Sequence, residues 1–181
     1  VDNFIYNGEQ KDTLVYKKLM NLVNESGADI IKTTSKNDLQ IGCCLYIDML
    51  WPIEGYDETL GSNDSSVSFV ASYKEFDIYL AGDLSSSYEL QMLSSKNYDV
   101  EVHKASHHGS KTGSPEELFG LIQPDISIIS AGKDNRYGHP HKEVLEVLKQ
   151  NNIMYYRTDY YGNISIFTNG VSYTVKTENR T

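Results

Sequence analysis

Apolar residues recur at helical spacing over residues 12–26, and Gly27 follows them as a stop signal. This pattern predicts an amphipathic helix, whose apolar stripe implies a sheet for it to cover. Short apolar runs then predict strands over 30–34, 39–41, 43–50, 67–73 and 76–81. Because a tight Lys74-Glu75 turn joins the last two, we expect an antiparallel meander in this part of the chain.

From residue 84 the pattern changes to an alternation of helical and strand-like segments, which predicts mixed α/β layers. The predicted helices begin near Ser86, Pro115 and Pro140, and the predicted strands cover 100–104 and 126–130 and lie near Ile153, Ile164 and Val171. Ser114 is interpreted as the N-cap of the second helix, with a proline after it and a glutamate three residues on. Ser86 and Glu89 repeat this spacing of serine and glutamate.

The composition favours a single domain over residues 1–181 with one hydrophobic core. No apolar run is long enough to cross a bilayer. The net charge of -9 repels polyanions, so any phosphate chemistry would need metal ions. Cys43 and Cys44 are interpreted as buried free thiols, because a disulfide between neighbours would be strained. The polar segment 57–66 is the one candidate linker and is interpreted as a surface loop.

Two segments with chemically active side chains follow predicted strands. Asp83 comes after strand 76–81, so its carboxylate can either project into a cleft as a metal ligand or cap the next helix. The run His107-His108-Gly109-Ser110-Lys111-Thr112 leaves strand 100–104. Its backbone N–H groups and Lys111 could hold a phosphoryl oxygen while one histidine binds metal or donates a proton. The alternative is a polar loop with surface histidines.

A third segment, Asn135-Arg136-Tyr137-Gly138-His139-Pro140-His141, follows a strand and opens a helix. The N–H groups of the helix start point at whatever His139 coordinates, which favours an anion there. Pro140 in the first helical turn explains part of this motif structurally. His103 lies inside a predicted strand and is interpreted as packed. The fourteen tyrosines are interpreted as strand and half-buried residues rather than as platforms for base stacking.

These motifs, preceded by Asn63-Asp64-x-Ser66 and followed by a closing segment 156–162, form an ordered set that is typical of one family. Over essentially its whole length, the chain resembles the metallo-β-lactamase-like domain of ComEC-type competence proteins. The resemblance implies an αββα sandwich of mixed sheets flanked by helices. It also implies a metal-dependent phosphodiesterase or nuclease that acts on DNA, single-stranded or being taken up. Zn²⁺ or Mn²⁺, as two ions in a complete domain, is the implied cofactor. A fused or associated membrane channel, and a place at the extracytoplasmic face of the cell membrane or outside the cell, are implied as well.

The resemblance also assigns roles to individual residues. Asp83 is expected to bridge the metals and His139 to complete the second site, while His107 lies where related nucleases keep a catalytic or metal-binding histidine. The predicted catalytic residues are Asp83, His107 and His108. The predicted metal ligands are Asp83, His107 and His139, with Asn63 or Asp64 as a further candidate. The residues predicted to bind substrate phosphate are Ser110, Lys111, Asn135, Arg136 and His141.

The His-x-His-x-Asp-His motif typical of such domains does not occur, because no histidine precedes His103. We therefore expect the chain to correspond to the C-terminal portion of the domain. Two other functions stay open. One is a different hydrolase on the same fold, which opens a lactam, lactone or thioester, and the other is a non-catalytic truncated or degenerate module. Lys111 and the two histidine loops favour phosphate over a neutral ester.

Overall fold

The computed structural model describes residues 1–56, 61–94 and 96–179. The predicted loop 57–66 therefore lies partly outside the described residues. The chain begins with strand β1 (Asn3–Tyr6), helix α1 (Leu14–Ser26) and strand β2 (Asp29–Lys32). The two strands pair in parallel and form a small sheet of their own. The predicted strand 30–34 thus belongs to this unit and not to the meander.

Helix α1 ends where the sequence predicts, because Gly27 adopts a left-handed φ of 71° after its last turn. Thr13 begins it, since its side chain accepts a hydrogen bond from the backbone N–H of Tyr16. The expectation that its apolar stripe covers a sheet is wrong: Val23 is buried, but Leu14, Val15, Leu19 and Leu22 are exposed. The periodicity reports the stripe and not what covers it. No helix in the described ranges is long and apolar enough to span a membrane.

A seven-stranded mixed sheet forms the centre of the fold. Its antiparallel half is β3 (Leu39–Ile41), β4 (Leu45–Trp51), β5 (Ser68–Tyr73) and β6 (Phe76–Leu80). This confirms the predicted meander, with its tight turn at Lys74, where φ is 60°. Its parallel half continues through β7 (Val102–Lys104), β8 (Ile126–Ile129) and β9 (Met154–Arg157). The short strands β3 and β9 form the two edges.

Helices cover one face of this sheet and a β-hairpin covers the other. The covering helices are α2 (Ser86–Leu93), α3 (Glu116–Ile122) and α4 (Lys142–Gln150), and a short helix, α5 (Thr158–Tyr161), follows β9. The hairpin is β10 (Ile164–Thr168) and β11 (Tyr173–Thr177). Leu93, Leu118 and Leu148 of α2, α3 and α4 lie in the main core. On the opposite face, Val102 packs with Val175 of the hairpin. The predicted layering of mixed sheets and helices is confirmed.

Two predicted helix caps are wrong. Pro115, and not Ser114, is the N-cap of α3, and Ser85 is the N-cap of α2. The hydroxyl of Ser114 instead accepts a hydrogen bond from the backbone N–H of Ser106 at 3.0 Å. Glu89 is completely buried and is not a capping residue. The side chains of Ser114 and Glu89 make hydrogen bonds to other parts of the chain instead of capping a helix. Local spacing does not reveal such bonds.

The prediction of buried free thiols is also wrong. Cys43 and Cys44 form a disulfide with each other in the turn between β3 and β4. Cys43 is exposed and Cys44 is half-buried, because the turn carries them away from the core that begins at Met49. The apolar run that suggested burial therefore ends at the hairpin turn.

His103 is fully buried in β7, which confirms its interpretation as a packed residue. Its Nδ1 lies 3.1 Å from the hydroxyl of Ser127 and its Nε2 lies 3.4 Å from that of Ser114. The imidazole stacks on Tyr79 with ring centroids 5.8 Å apart. Burial, followed by the nearby charge of Lys104, lowers the pKa of His103 to about 3. The folded protein therefore holds this imidazole neutral.

We predict that His103 makes stability fall in mild acid. The pKa of His103 is about 6.5 in the unfolded chain and about 3 in the folded protein. Between these two pH values the unfolded state binds a proton that the folded state does not bind, so the unfolded state is favoured. By pH 5 this lowers the free energy of unfolding by about 2 kcal/mol. Denaturant unfolding at pH 8 and pH 5 should show that His103→Gln loses about 2 kcal/mol less than the parent chain. An equal loss in both proteins would contradict the assignment.

Candidate active site

The predicted site residues lie on loops at the carboxyl ends of parallel strands. Asp83 follows β6, His107 and His108 follow β7, and His139 and His141 lie between β8 and α4. Because β6 pairs in parallel with β7, and β7 with β8, these loops leave the sheet at the same edge. The topology therefore gathers residues that are far apart in the sequence.

Asp83 and His108 form the best-defined pair of this cluster. Oδ1 of Asp83 lies 3.5 Å from Nε2 of His108. The other ring nitrogen of His108, Nδ1, donates to the carbonyl of Ser130 at 2.8 Å, which leaves Nε2 as the atom with a free lone pair. Two ligand atoms that share one tetrahedral zinc ion are about 3.4 Å apart, since each lies about 2.1 Å from the metal. The pair thus has the chemistry and the spacing of two ligands of one ion.

His107 lies beside this pair, between two polar side chains. Its Nε2 is 3.3 Å from the amide nitrogen of Asn63, and its Nδ1 is 3.3 Å from the hydroxyl of Thr112. Of the two alternatives Asn63 and Asp64, the structure therefore brings Asn63 to the histidines. Oδ1 of Asp64 accepts a hydrogen bond from the backbone N–H of Ser85 instead.

His139 completes the cluster of imidazoles. Its ring centroid lies 5.6 Å from that of His107, 6.4 Å from that of His108 and 4.8 Å from that of His141. Burial lowers the pKa of His139, and the three neighbouring histidines lower it further, whereas Asp83 opposes the change. The neutral imidazole, which is the form that binds metal, is therefore favoured.

The described residues do not complete a metal site. Within 1–56, 61–94 and 96–179, no group of three or more His, Cys, Asp or Glu side chains could hold a metal ion. Asp83 and His108 fit a divalent cation as two ligands, and His139 supplies a further neutral imidazole nearby. The ligand set Asp83, His107 and His139 stays a prediction.

The backbone that carries His107 and His108 is strained. Both residues have left-handed conformations, with φ of 46° and 59°, at a cost of about 1–2 kcal/mol each. Two backbone hydrogen bonds hold His107 there: its N–H donates to the carbonyl of Gly82 at 3.0 Å, and its carbonyl accepts from the N–H of Ser110 at 2.9 Å. Strain of this kind is characteristic of functional loops, which the surrounding structure keeps in place.

Gly109 allows this loop to touch the loop of His139. A Cβ atom on Gly109, where φ is 78°, would lie 2.7 Å from Cβ of Pro140 and 3.1 Å from Cγ2 of Ile129. Its carbonyl accepts a hydrogen bond from the N–H of His141 at 2.9 Å. The absence of a side chain therefore lets the two histidine loops pack directly on each other.

Glu89 is a further residue of the site that the sequence motifs do not identify, and its hydrogen bonds to Ser106 and Ser114 stabilise the His107 loop. Its carboxylate accepts hydrogen bonds from the hydroxyls of Tyr79 and Ser106 and from the backbone N–H of Ser114. Burial raises the pKa of Glu89, whereas the bonds from Ser106, Ser114 and Tyr79 oppose that rise. A signal was present in the sequence, because Glu89 precedes the core residues Met92 and Leu93 by three and four positions.

The residues predicted to bind phosphate differ in what their polar atoms do. Lys111 is exposed, and among the described residues no bond from its ammonium group to another side chain occurs. Its backbone N–H donates to Nδ1 of His141 at 3.0 Å, so the neutral His141 carries its proton on Nε2. Ser110 is only 4% exposed and its hydroxyl bonds to that of Thr112 at 2.9 Å. Lys111 and His141 thus each keep a free donor.

Asn135 and Arg136 are engaged within their own loop. The amide nitrogen of Asn135 donates to the carbonyls of Gly132 and His139, and its oxygen accepts from the N–H of His139. The guanidinium of Arg136 lies 4.8 Å from the ring centroid of Tyr137. A contact between Asn135 and a phosphate group would require the loss of one of these bonds.

The chain is similar in sequence to parts of two much longer proteins. No family model matches the chain. The chain is 36% identical over 149 residues to the Bacillus subtilis protein named ComE operon protein 3. The matched region covers 82% of this chain and 19% of that protein. It is also 32% identical over 90 residues to the Haemophilus influenzae protein named Recombination protein 2. This matched region covers 50% of the chain and 11% of that protein. The chain thus spans a fifth or less of the length of these relatives.

A solved structure shares the fold. It is a presumed metal-dependent hydrolase from Parabacteroides distasonis, with a TM-score of 0.51 and 12% sequence identity, and the match covers 87% of this chain and 64% of that one. At this identity the likeness is one of fold alone. It agrees with the metallo-β-lactamase-like sandwich predicted from the sequence.

We predict that Gly109→Ala disrupts the contact between the histidine loops. The new methyl group meets Pro140 and Ile129, and the left-handed backbone disfavours alanine, so the free energy of unfolding should fall by about 2–5 kcal/mol. Gly120→Ala is the matched control, because a Cβ on that glycine in α3 meets nothing within 4 Å. It should stabilise the protein by about 0.5–1 kcal/mol. Denaturant unfolding measures both, and a Gly109→Ala protein as stable as the parent would refute the role of this contact.

Proposed function

We propose that this chain is the hydrolytic domain of a ComEC-type competence protein and cleaves phosphodiester bonds of DNA with a divalent metal ion. The observation that carries the proposal is the Asp83–His108 pair, whose ligand atoms are 3.5 Å apart beside three more imidazoles. The relatives named ComE operon protein 3 and Recombination protein 2 support a role in competence that involves DNA. The fold shared with a presumed metal-dependent hydrolase is compatible with hydrolysis.

In this proposal the domain works as part of a longer protein that takes up DNA. It lies at the extracytoplasmic face of the membrane, fused to or associated with a channel, as the resemblance of the sequence implies. The net charge of -9 gives the chain little attraction for DNA at long range. The electrostatic attraction for the phosphate must therefore come from the site itself.

The residues of the site have distinct roles in the proposed reaction. Zn²⁺ or Mn²⁺ held by Asp83 and His108, with His139 as a further ligand, would neutralise the phosphate and lower the pKa of a water molecule. The bond from Nδ1 of His108 to Ser130 fixes the tautomer that presents Nε2 to the site. His107, which lies 3.3 Å from Asn63, is the candidate general acid that protonates the leaving oxygen.

Lys111 and His141 are placed to orient the phosphate group. They belong to different loops, but the backbone N–H of Lys111 donates to the ring of His141. The exposed ammonium group and Nε2–H of His141 are thus two donors that a phosphate oxygen can accept from. Neither group is required to hold the metal ion.

A non-catalytic module is the second candidate function. The observation that favours it is that the described residues contain no group of three or more ligand-type side chains suited to a metal ion. A site with two ligands binds metal weakly, and weak binding stabilises the folded state little at micromolar metal. The two candidates therefore differ in metal binding as well as in turnover.

We predict that Asp83→Asn abolishes hydrolysis while the fold is kept. The amide retains the size of the carboxylate but loses the charge that binds a cation, so turnover should fall by at least about 100-fold. The assay is cleavage of a single-stranded oligonucleotide and of a bis-aryl phosphodiester, with Mn²⁺ or Zn²⁺ added. Asp29→Asn, an exposed residue of β2, is the matched control and should behave as the parent chain.

Four results would distinguish the candidate functions and test the role of Asp83. Metal-dependent cleavage that Asp83→Asn removes supports the proposed hydrolase. Cleavage that survives in Asp83→Asn removes this residue from the site. No cleavage by the parent chain, together with no metal-induced rise in thermal stability, favours the non-catalytic module. Hydrolysis of a chromogenic lactam in place of the phosphodiesters would point to another hydrolase of the same fold.

We predict that Lys111→Ala weakens substrate binding and leaves metal binding intact. The loss of one charged donor to the phosphate should raise KM by about 10-fold, whereas bound metal measured by equilibrium dialysis should not change. Lys149→Ala, at an exposed position near the end of α4, is the control. If Lys111→Ala released the metal instead, the phosphate role would be wrong.

A further inference from the structure

Tyr137 presents an aromatic ring to solvent beside the histidine cluster. The residue is 61% exposed, although an aromatic ring gains little from contact with water. Its ring stacks on that of His139, with centroids 5.7 Å apart and an angle of 23° between the planes. The guanidinium of Arg136 lies over the same ring and donates to the tyrosine hydroxyl. These contacts hold the ring in one orientation, while more than half of the residue's surface stays exposed.

The loop that carries Tyr137 is itself fixed. Asn135 bonds to the backbone at both ends of the loop, at Gly132 and at His139. The carbonyl of Asn135 also accepts from the N–H of Gly138 at 3.1 Å, which closes the turn around Tyr137. A ring on a fixed loop costs little conformational entropy when it binds a ligand.

A pocket of about 220 Å³ opens next to this ring. Its lining residues are His108, Ser130, Ala131, Gly132, Asn135, Tyr137 and His139. Two polar groups of the lining already have partners, because the carbonyl of Ser130 accepts from His108 and the side-chain amide of Asn135 bonds to the backbone. A flat ring would meet the rings of Tyr137 and His139 and the methyl group of Ala131 there. The volume is below the roughly 300–1,000 Å³ of pockets for drug-sized ligands, so it suits one ring system.

We infer that this pocket is a subsite for one unpaired nucleobase, which stacks on Tyr137 while the neighbouring phosphate lies at Asp83 and His108. The inference rests on the proposed function and names the form of DNA that the site takes. His108 belongs both to the pocket lining and to the pair with Asp83, so base and phosphate would be neighbours, as they are in a nucleotide. A base inside a duplex stacks on its own neighbours and cannot use this ring. The site therefore selects single strands or unpaired ends.

The charge of the chain strengthens this argument. With a net charge of -9, the protein cannot rely on many phosphate contacts, which dominate nonspecific DNA binding. Stacking on an aromatic ring does not depend on the sign of the surrounding charge, and it tolerates any base sequence. Affinity carried by Tyr137 should therefore respond little to salt.

The experiment measures binding of fluorescent single strands to the full 181-residue chain by anisotropy. The probes are a short oligonucleotide and an otherwise identical abasic strand, which keeps the phosphates and lacks the bases. Tyr137→Ala should weaken binding of the normal strand by about 10-fold and leave the abasic strand unaffected. Tyr137→Phe keeps the ring and should bind as the parent chain does. Phe167→Ala is the matched control, because Phe167 is 54% exposed and has the ammonium of Lys176 5.0 Å from its ring centroid.

The outcomes separate this inference from the proposed function. An equal loss for both strands in Tyr137→Ala, or no loss for either, overturns the base subsite. A loss in Tyr137→Phe as large as in Tyr137→Ala also overturns it, because the hydroxyl would then be the important group. Binding does not require turnover, so a protein that discriminates the strands but cleaves neither supports the subsite and contradicts the nuclease. A protein that cleaves DNA but binds the normal and abasic strands equally supports the nuclease and contradicts the base subsite.

Discussion

The contact between Gly109 and Pro140 is the constraint on which the candidate site depends. It joins a loop that follows β7 to a loop that precedes α4, at a distance that no side chain at position 109 would allow. Together with the hydrogen bond from Lys111 to the ring of His141, it sets the position of the His107 and His108 imidazoles relative to that of His139. The parallel strands bring the loops to one edge of the sheet, and this contact brings their side chains into a common cluster.

The strained conformation of His107 and His108 needs support from below, and the buried polar residues supply it. Glu89 binds Ser106 and Ser114, which lie at the two ends of the loop. A carboxylate in the core is costly unless donors surround it, and here three groups donate to it. The loop and the helix that carries Glu89 are therefore stabilised together, because each satisfies the polar groups of the other.

The sequence predicts well those features that local chemistry determines. The stop of α1 at Gly27, the turn at Lys74 and the alternation of strands and helices all follow from spacing and residue type. The ordered motifs likewise pointed to the residues that the structure gathers. The assignment of 1–181 to a single domain, and the roles of the site residues, stay predictions.

Features that depend on contacts between distant parts of the chain could not be predicted from the sequence. Glu89 has the spacing of a helix cap but is bonded to another loop, and Asp64 has the position of a ligand but caps a backbone N–H. The choice between Asn63 and Asp64 depends on a loop path that pattern and motif do not specify. The apolar stripe of α1 shows the same limit, since periodicity alone does not say what a helix packs against.

The edges of the central sheet are formed by strands of only three and four residues, β3 and β9. Short edge strands offer few unpaired backbone groups to a neighbouring molecule, which limits the growth of intermolecular β-structure. The edges of the central sheet therefore give another chain few backbone groups to pair with. Exposed apolar surface in the described residues lies elsewhere, including Leu14, Leu19 and Leu22 of the first helix.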